Sequence, residues 1–596
     1  MKLRFLRIKN FRGVQDGKIF LDGHSVLIGG NSVGKSTVCE AMDLLLGPDR
    51  INRSSAIDEH DFFGRRYLDE DGNPTAIEIE GILTDMTGDI ERQYRGHLEH
   101  WNTNSRSLLD ETATPEDIAS DGVIPALRVS FCGCYDQEED EFRAETFFSS
   151  PPVEEGGQHA RFGRVDKRQF GFLYLRTSRT GARALSLERG SLLDIILRLK
   201  DNDRTQMWEH TLKSIENIKP PIHEIKQLKE VLDEVDVRIR QFVGLSKNDP
   251  ALGLFPSQLT RDALRKTVTL FGASERSETL VPYWRLGSGV VNAMVFSLLT
   301  FIADLKDNVI FAMEEPELAI PPHTQRRIVK FLQKSMNQAI LTTHSPFVLE
   351  QFPPESVIIL DRNEDKELIG KPLELSGLKA KNYRGGIRHR YAEAMLGRGV
   401  ICVEGVSDEE VLKAVSYILE EECTEDAPYT PLDLSGVTVV SVDGDGNLPQ
   451  LGRFFAGIGL KTYALFDEQK NANQADEIHG VYDRAWELNY SGIEKFLANE
   501  ISIDRLRDFL DDAQDWEDYP IKNFKYEDKM NDDDVIKLSW KLLKVRKGSA
   551  YAERLIEEFC YMKDLPDLLC DALTQVSDDL SAKPFAIVAG DDEGEE

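Results

Sequence analysis

Nine residues near the start of the chain, Gly29-Gly30-Asn31-Ser32-Val33-Gly34-Lys35-Ser36-Thr37, restrict its fold more than any other segment. They follow a short apolar strand, 25–28, and precede a helical stretch, 36–46. A glycine-rich loop in that setting lets backbone N–H groups close around phosphate oxygens, and the helix N-terminus adds its dipole. In this reading Asn31, Gly34 and Thr37 shape the cradle, Lys35 reaches the outer phosphates and Ser36 ligates Mg²⁺. The fold class this implies is α/β.

Two later strands complete a nucleotide site. The apolar run 308–313 leads into Glu314-Glu315-Pro316-Glu317. A strand ending in two acids supplies what ATP hydrolysis needs: Glu314 holds Mg²⁺ through water, and Glu315 polarises the attacking water. The run 339–341 ends in Thr342-Thr343-His344-Ser345-Pro346, where His344 can touch the γ-phosphate. Before both, Leu286-Gly287-Ser288-Gly289 opens a helix.

A second strand–helix alternation begins near residue 398, with strands at 400–403, 437–442 and 462–466 and helices at 408–419 and 448–457. Such spacing predicts another parallel sheet. Its first strand delivers Glu404 to the C-terminal edge, where open α/β sheets bind ligands. Gly405 turns the chain, and Asp408 starts the next helix. The third strand ends in Asp467-Glu468. Carboxylates on two strand tips of one sheet predict a hard-cation site for Mg²⁺ or Mn²⁺, with Glu468, Asp443 and Asp445 nearby as further acids.

The order of P-loop, long insertion, LGSG, EEPE and TTHSP resembles the ABC ATPases of the RecF and SMC kind. In those, Ser288 and Gly289 would cap ATP bound to a second subunit. The phrases VEGVSD and VDGDGN resemble a Toprim domain. IKNFRG, GGNSVGKST and these motifs together are similar to the OLD (overcoming lysogenisation defect) family, over nearly the whole chain. The resemblance implies an ABC-type P-loop ATPase with a helical dimerisation insertion, then a Toprim α/β domain and a helical C-terminal region. It implies a metal-dependent DNA endonuclease, ATP and Mg²⁺ or Mn²⁺ as cofactors at both sites, often a role in phage defence, and a homodimer or higher homo-oligomer through the ATPase heads and the insertion. Relatives include the nuclease subunit of the Gabija system, which works beside a helicase-like partner. Carried over by motif, Glu404 and Asp408 match the family's first acidic pair, and Asp467 the first Asp of D-x-D. Glu494 resembles a later acid, and Lys547 a late lysine that stabilises the phosphoryl group in flight. The second Asp is absent: position 469 is Gln, which leaves two alternatives, that Glu468 substitutes or that one cation is held more weakly.

The remaining features set boundaries. A chain of 596 residues, 41% of them hydrophobic, is long enough for several cores. The divisions expected are 1–180 and 276–395 for the ATPase, 181–275 for the helical insertion, 396–515 for Toprim and 516–596 for a helical end with an acidic tail. The insertion carries an apolar stripe of Ile222, Ile225, Leu228, Val231, Leu232 and Val235. Residues 86–160 are expected to be a polar, solvated insertion around the acidic run 136–141. No apolar run reaches the roughly 20 residues that span a bilayer, and the start lacks a signal-peptide h-region. Seven scattered cysteines read as reduced thiols, so a cytoplasmic location is expected. A net charge of −32 opposes unaided DNA binding. Local basic stretches at Arg176, Arg179 and Arg183 and at Arg384, Arg388 and Arg390, and bound cations, offset this. Two rival classes are an ATP-switched scaffold with an inert Toprim domain acting through a partner, which Gln469 favours, and a topoisomerase- or primase-like enzyme, for which no tyrosine motif stands out.

Overall fold

The computed structural model describes residues 1–30, 33–48, 56–110, 112–153, 157–175, 185–188, 191–200, 204–216, 226–240, 260–267, 269–273, 279–305, 308–318, 320–363, 367–378, 388–424, 429–442, 444–469, 472–520 and 524–580. By internal contacts the chain divides into two units, Met1–Ser25 with Ser36–Thr343, and Val26–Lys35 with His344–Glu596. The architecture is mixed α/β, as the sequence predicts.

In the first unit, strand Lys2–Phe11 turns back into Val14–Phe20, and on its other edge pairs antiparallel with Ala76–Thr84. That strand pairs with the long strand Val123–Asp136, which also carries Leu98–Asn102 and Glu141–Phe148. Ile77 and Ile79 are buried while Glu78 is exposed, the period-2 pattern of a strand with one covered face. The expected solvated insertion is therefore corrected. Residues 98–102, 107–108, 123–136 and 141–148 are strands of the sheet, with Trp101, Leu127, Val129, Phe131 and Phe148 buried. Its polar look comes from two-faced strands and their turns. The acidic run is one such turn: Asp136 accepts from the N–H groups of Glu138 and Glu139, and Asp140 adopts φ 55°.

A parallel part of the same unit places Ile310–Glu314 between Phe172–Leu175 and Gln338–Thr342. Residues 310–313 are buried without alternation, as befits a parallel strand covered on both faces. Helix Leu192–Lys200 packs on Ser288–Leu305. Helices Arg204–Glu216 and Lys226–Ile239 fall in the expected helical insertion. Of the predicted stripe, Val231 and Val235 are exposed and Leu232 is half-buried. Ile222, Ile225 and the Leu228 side chain lie outside the described residues, as do Arg176, Arg179 and Arg183.

The second unit contains strand Val357–Arg362, parallel to residues 26–28 and antiparallel to Leu368–Pro372. It also contains a four-stranded parallel sheet in the order Val437–Ser441, Gly399–Val403, Lys461–Phe466, Arg484–Glu487. The first strand in sequence is thus internal, and the chain moves first to one side of it and then to the other. That reversal opens a crevice at the carboxyl ends of Gly399–Val403 and Lys461–Phe466. One hydrophobic core joins this sheet to the C-terminal helices: Ile401, Val403 and Leu465 pack in a cluster with Leu506, Phe509, Leu542, Leu555 and Leu573. Among the described residues no helix is long and apolar enough to cross a membrane.

One charge is built into the first unit. Lys167, on helix Arg164–Phe170, is fully buried, and its Nζ donates to the Leu44 carbonyl at 2.8 Å. Leu44 lies in the last turn of helix Lys35–Leu46, whose carbonyls lack intrahelical partners. Burial lowers the Lys167 pKa to about 7, against the pull of Asp43. Between pH 7 and 10.5 the unfolded chain holds a proton there that the folded chain does not. Stability from this group therefore rises with pH across that window, and its deficit is complete below it. We expect the unfolding free energy of wild type minus that of Lys167→Met to rise between pH 7 and 9.5 by up to about 1.4 kcal/mol per pH unit. Urea titrations at three pH values measure this, and a flat difference would refute it.

Candidate functional site

The P-loop has the backbone its glycines predict. Gly29 sits at φ 148° and Gly34 at φ 123°, in the region that favours glycine. A Cβ on Gly29 would also lie 2.5 Å from the Leu360 carbonyl oxygen. Lys35 is buried at the start of its helix, and its Nζ donates to the carbonyls of Gly29 at 2.7 Å and Gly30 at 3.0 Å. The loop is thereby closed on the Lys35 ammonium. Ser36 is exposed and Thr37 half-buried. Asn31 lies outside the described residues.

In the first unit, Glu314 ends its buried strand and accepts the Tyr174 hydroxyl from the neighbouring strand Phe172–Leu175. Glu315 adopts φ 45°, a left-handed conformation that costs a non-glycine residue roughly 1–2 kcal/mol. Its N–H donates to Thr342 O at 2.9 Å, which anchors the turn to the next strand. Strain held by a hydrogen bond at a strand tip is a common mark of a working residue. Glu317 accepts the Thr343 hydroxyl at 2.9 Å. The LGSG segment starts helix Ser288–Leu305. Its Gly287 and Gly289 are exposed with open space where a Cβ would stand, so a ligand can approach the backbone closely. The Ser288 side chain is not among those described. In the second unit His344 is exposed.

The acids of the second unit meet at its sheet's switch point. Glu404 follows strand Gly399–Val403 and Asp467 follows Lys461–Phe466. Glu404 Oε1 accepts the Asp467 N–H at 3.0 Å, so the two strand tips are bonded together. Asp408, 3% exposed, accepts the Gly405 N–H at 3.1 Å and closes the turn into helix Val406–Glu422. Glu494, 5% exposed, starts helix Ile493–Glu500 after Gly492 at φ 121°. A Cβ on Gly492 would stand 3.1 Å from Glu494 Oε2 and 3.9 Å from Asp467 Oδ2, so these carboxylates face one another across the glycine. Lys547 Nζ lies 3.3 Å from Glu494 Oε1, and 3.4 Å from where a Gly405 Cβ would be, on the same side as Asp408.

Two residues in this cluster differ from expectation. Asp467-Glu468-Gln469 follows directly on strand Lys461–Phe466, and Asp467 and Gln469 both bond toward Glu404 while Glu468 does not. Glu468 is exposed, with its N–H on Tyr490 O, while Gln469 takes the inward place. Its Nε2 donates to Glu404 Oε1 at 3.3 Å and to Asp467 O at 3.0 Å, and its N–H to Glu487 Oε1 at 2.7 Å. The i, i+2 spacing was the signal for Gln469. None marked Glu487, at the tip of a strand, Arg484–Glu487, too short and polar to read in sequence. Asp443 and the Asp445 side chain lie outside the described residues, though Gly444 N–H bonds to Glu404 O at 3.1 Å.

Burial and neighbouring charge set the electrostatics. Asp408 is pushed up to about 7 by burial and by Glu494 and Glu404, against the pull of Lys547. Asp467 is pushed up to about 7 by burial, Glu404 and Asp408. Burial opposes the Lys547 charge, but Glu494 and Asp408 hold its pKa above the ordinary value. Asp467 Oδ1 is buried with no hydrogen-bond partner among the described residues. A buried, unpaired carboxylate oxygen among other carboxylates suits a hard divalent cation, which takes oxygen ligands. Among the described residues no three His, Cys, Asp or Glu side chains are drawn into a finished coordination shell. The set is an open one with Lys547 as its resident cation.

The proton balance gives a prediction. Folded-state pKa values raised above the unfolded ones mean that the cation-free protein loses stability as pH rises from about 4 through about 7. Cation binding must displace those protons. Mn²⁺ binding at pH 6.5, followed by calorimetry in two buffers of different ionisation heat, should release more than half a proton per chain, and almost none at pH 8.5. Equal release at both would show that these carboxylates do not take the cation.

Comparison with known proteins fits this geometry. Residues 1–101 and 187–349 match an AAA ATPase domain, and 395–468 match the TOPRIM domain of overcoming lysogenization defect-like proteins. The chain is 21% identical over 451 residues to OLD nuclease of Thermus scotoductus, covering 68% of this chain and 72% of that one. It is 22% identical over 496 residues to Old nuclease of Escherichia phage P2, covering 78% and 77%. A solved C-terminal region of the Burkholderia pseudomallei OLD protein aligns at 17% identity and TM-score 0.22, covering 31% of this chain and 98% of that one. The chain thus carries an AAA ATPase domain followed by an OLD-like TOPRIM domain, and over most of its length it is similar to two OLD nucleases.

Proposed function

We propose that this chain is an ATP-dependent nuclease that hydrolyses the DNA backbone with divalent cations held by Glu404, Asp408 and Asp467. The observation that carries this is the convergence of two buried carboxylates, Asp408 and Glu494, and two half-buried ones, Glu404 and Asp467, at the switch point of a parallel sheet, with Asp467 Oδ1 unpaired and Lys547 beside them. Both relatives compared above are named nucleases. Bound Mg²⁺ or Mn²⁺ would activate water and stabilise the leaving oxygen. Glu404 and Asp467 fix the two strand tips relative to each other, Asp408 adds a third acid from the helix, and Glu494 anchors Lys547. Lys547, half exposed, is placed to meet a phosphate oxygen. Cations also answer the −32 charge, which would repel DNA from an empty site.

In the ATPase half we assign Lys35 and Ser36 to phosphate and Mg²⁺, Glu314 to Mg²⁺, Glu315 to the attacking water and His344 to the γ-phosphate. Ser288 and Gly289 act in trans in a dimer of ATPase heads, so that ATP gates cutting. The exposed Val231 and Val235 of the helical insertion suit the same assembly. The setting we propose is phage defence or DNA processing in the cytoplasm, with a helicase-like partner in the former. A second reading, an ATP-switched scaffold with weak cleavage, draws support from the neutral Gln469 inside the acidic cluster.

A plasmid assay with Mg²⁺, Mn²⁺ or Ca²⁺, with and without ATP, separates the two. Glu404→Ala should lower cleavage by at least about 100-fold, on the scale of losing a metal ligand. Cutting at the wild-type rate would sink the nuclease reading. Lys35→Ala should abolish nucleotide binding. Glu315→Gln should still bind ATP but not hydrolyse it, and cleavage that is the same in both variants and in wild type would remove the coupling.

A further inference from the structure

The side chain at 469 is uncharged yet faces inward among acids. Its orientation is fixed on both ends. The Gln469 N–H donates to Glu487 Oε1 at 2.7 Å, which holds the backbone against the neighbouring strand tip. Its Nε2 lies 3.0 Å from the Asp467 carbonyl and 3.3 Å from Glu404 Oε1. Both neighbours are acceptors only, so the amide must turn its NH₂ group toward them. Glu404 Oε1 therefore accepts two N–H groups, from Asp467 and from Gln469. The hydrogens of that NH₂ group place partial positive charge against Glu404 Oε1, which disfavours a cation at that oxygen. Glu494, the other acid facing Asp467, is already paired with Lys547.

We propose that Gln469 limits this site to one tightly held divalent cation, gripped by Asp467 and Asp408 with Glu404, where a carboxylate at 469 would draw in a second. The inference rests on the metal-site reading above and goes further by assigning the number of ions. The same contacts explain why glutamine is tolerated. It stabilises Glu404 in the absence of a cation, whereas a carboxylate in its place would set two like charges at hydrogen-bond distance.

The test counts Mn²⁺ bound to full-length, nucleotide-free protein, from the electron paramagnetic resonance signal of free Mn²⁺. The proteins compared are wild type, Gln469→Glu, Gln469→Asp and Glu404→Ala. Gln469→Glu keeps the shape of the side chain, and Gln469→Asp serves if that variant folds poorly. Wild type should take up one tight equivalent per chain. Gln469→Glu should take up two, the second at least about ten-fold tighter than any second equivalent in wild type. Without Mn²⁺, Gln469→Glu should melt below wild type, and Mn²⁺ should raise its melting temperature by more than it raises that of wild type. Two tight equivalents in wild type, or no gain in either 469 variant, would overturn the proposal while leaving the metal site itself intact. Undiminished uptake by Glu404→Ala would instead overturn the underlying site.

Discussion

Four carboxylates share a crevice in the second unit because backbone and lysine contacts hold them there against their mutual repulsion. The bond from Asp467 N–H to Glu404 Oε1 ties two strand tips. Asp408 is fixed by the turn it closes, and Glu494 by Lys547. Without such fixed donors, taking like charges out of water would be prohibitive, and the acids would rotate to solvent, as Glu468 does. The raised pKa values of Asp408 and Asp467 measure how much opposition remains. That residual opposition makes the cluster receptive to a cation, since binding one relieves it.

The nucleotide half works by the complementary device. Here the ligand is the anion, and the protein supplies positive ends. Lys35 is held by carbonyls of its own loop, so the cradle keeps its shape before phosphate arrives. At the other end of the same helix, Lys167 donates to the buried Leu44 carbonyl, which has no partner within the helix. Glu315 stands in a left-handed conformation held by backbone hydrogen bonds to Thr342 and from Leu318. Each is a local constraint that fixes a polar group ahead of use, which is how positioning and electrostatic stabilisation lower barriers.

Much of the fold was legible because burial imposes periodicity. The apolar runs before Glu314, Glu404 and Asp467 belong to parallel strands buried on both faces, which leave a continuous hydrophobic signature. The antiparallel strands within 86–160 were harder. They show one face to solvent, and their tight acidic turn reads locally as a polar linker. Strand Arg484–Glu487 was missed for a similar reason: it is four residues long, with none fully buried.

By itself the sequence determined the phosphate-binding loop, the acids at three strand ends and the order of two α/β regions, since these follow from residue type and spacing along the chain. Only the tertiary structure decided which acids share a crevice. The strand order that puts Gly399–Val403 beside Lys461–Phe466, the inward turn of Gln469 and the approach of Lys547 from the turn after helix Asp532–Val545 all depend on long-range packing. Asp467 and Lys547, 63 and 143 positions beyond Glu404, reach the same crevice because one hydrophobic core welds the C-terminal helices to the sheet, and no local pattern encodes that distance.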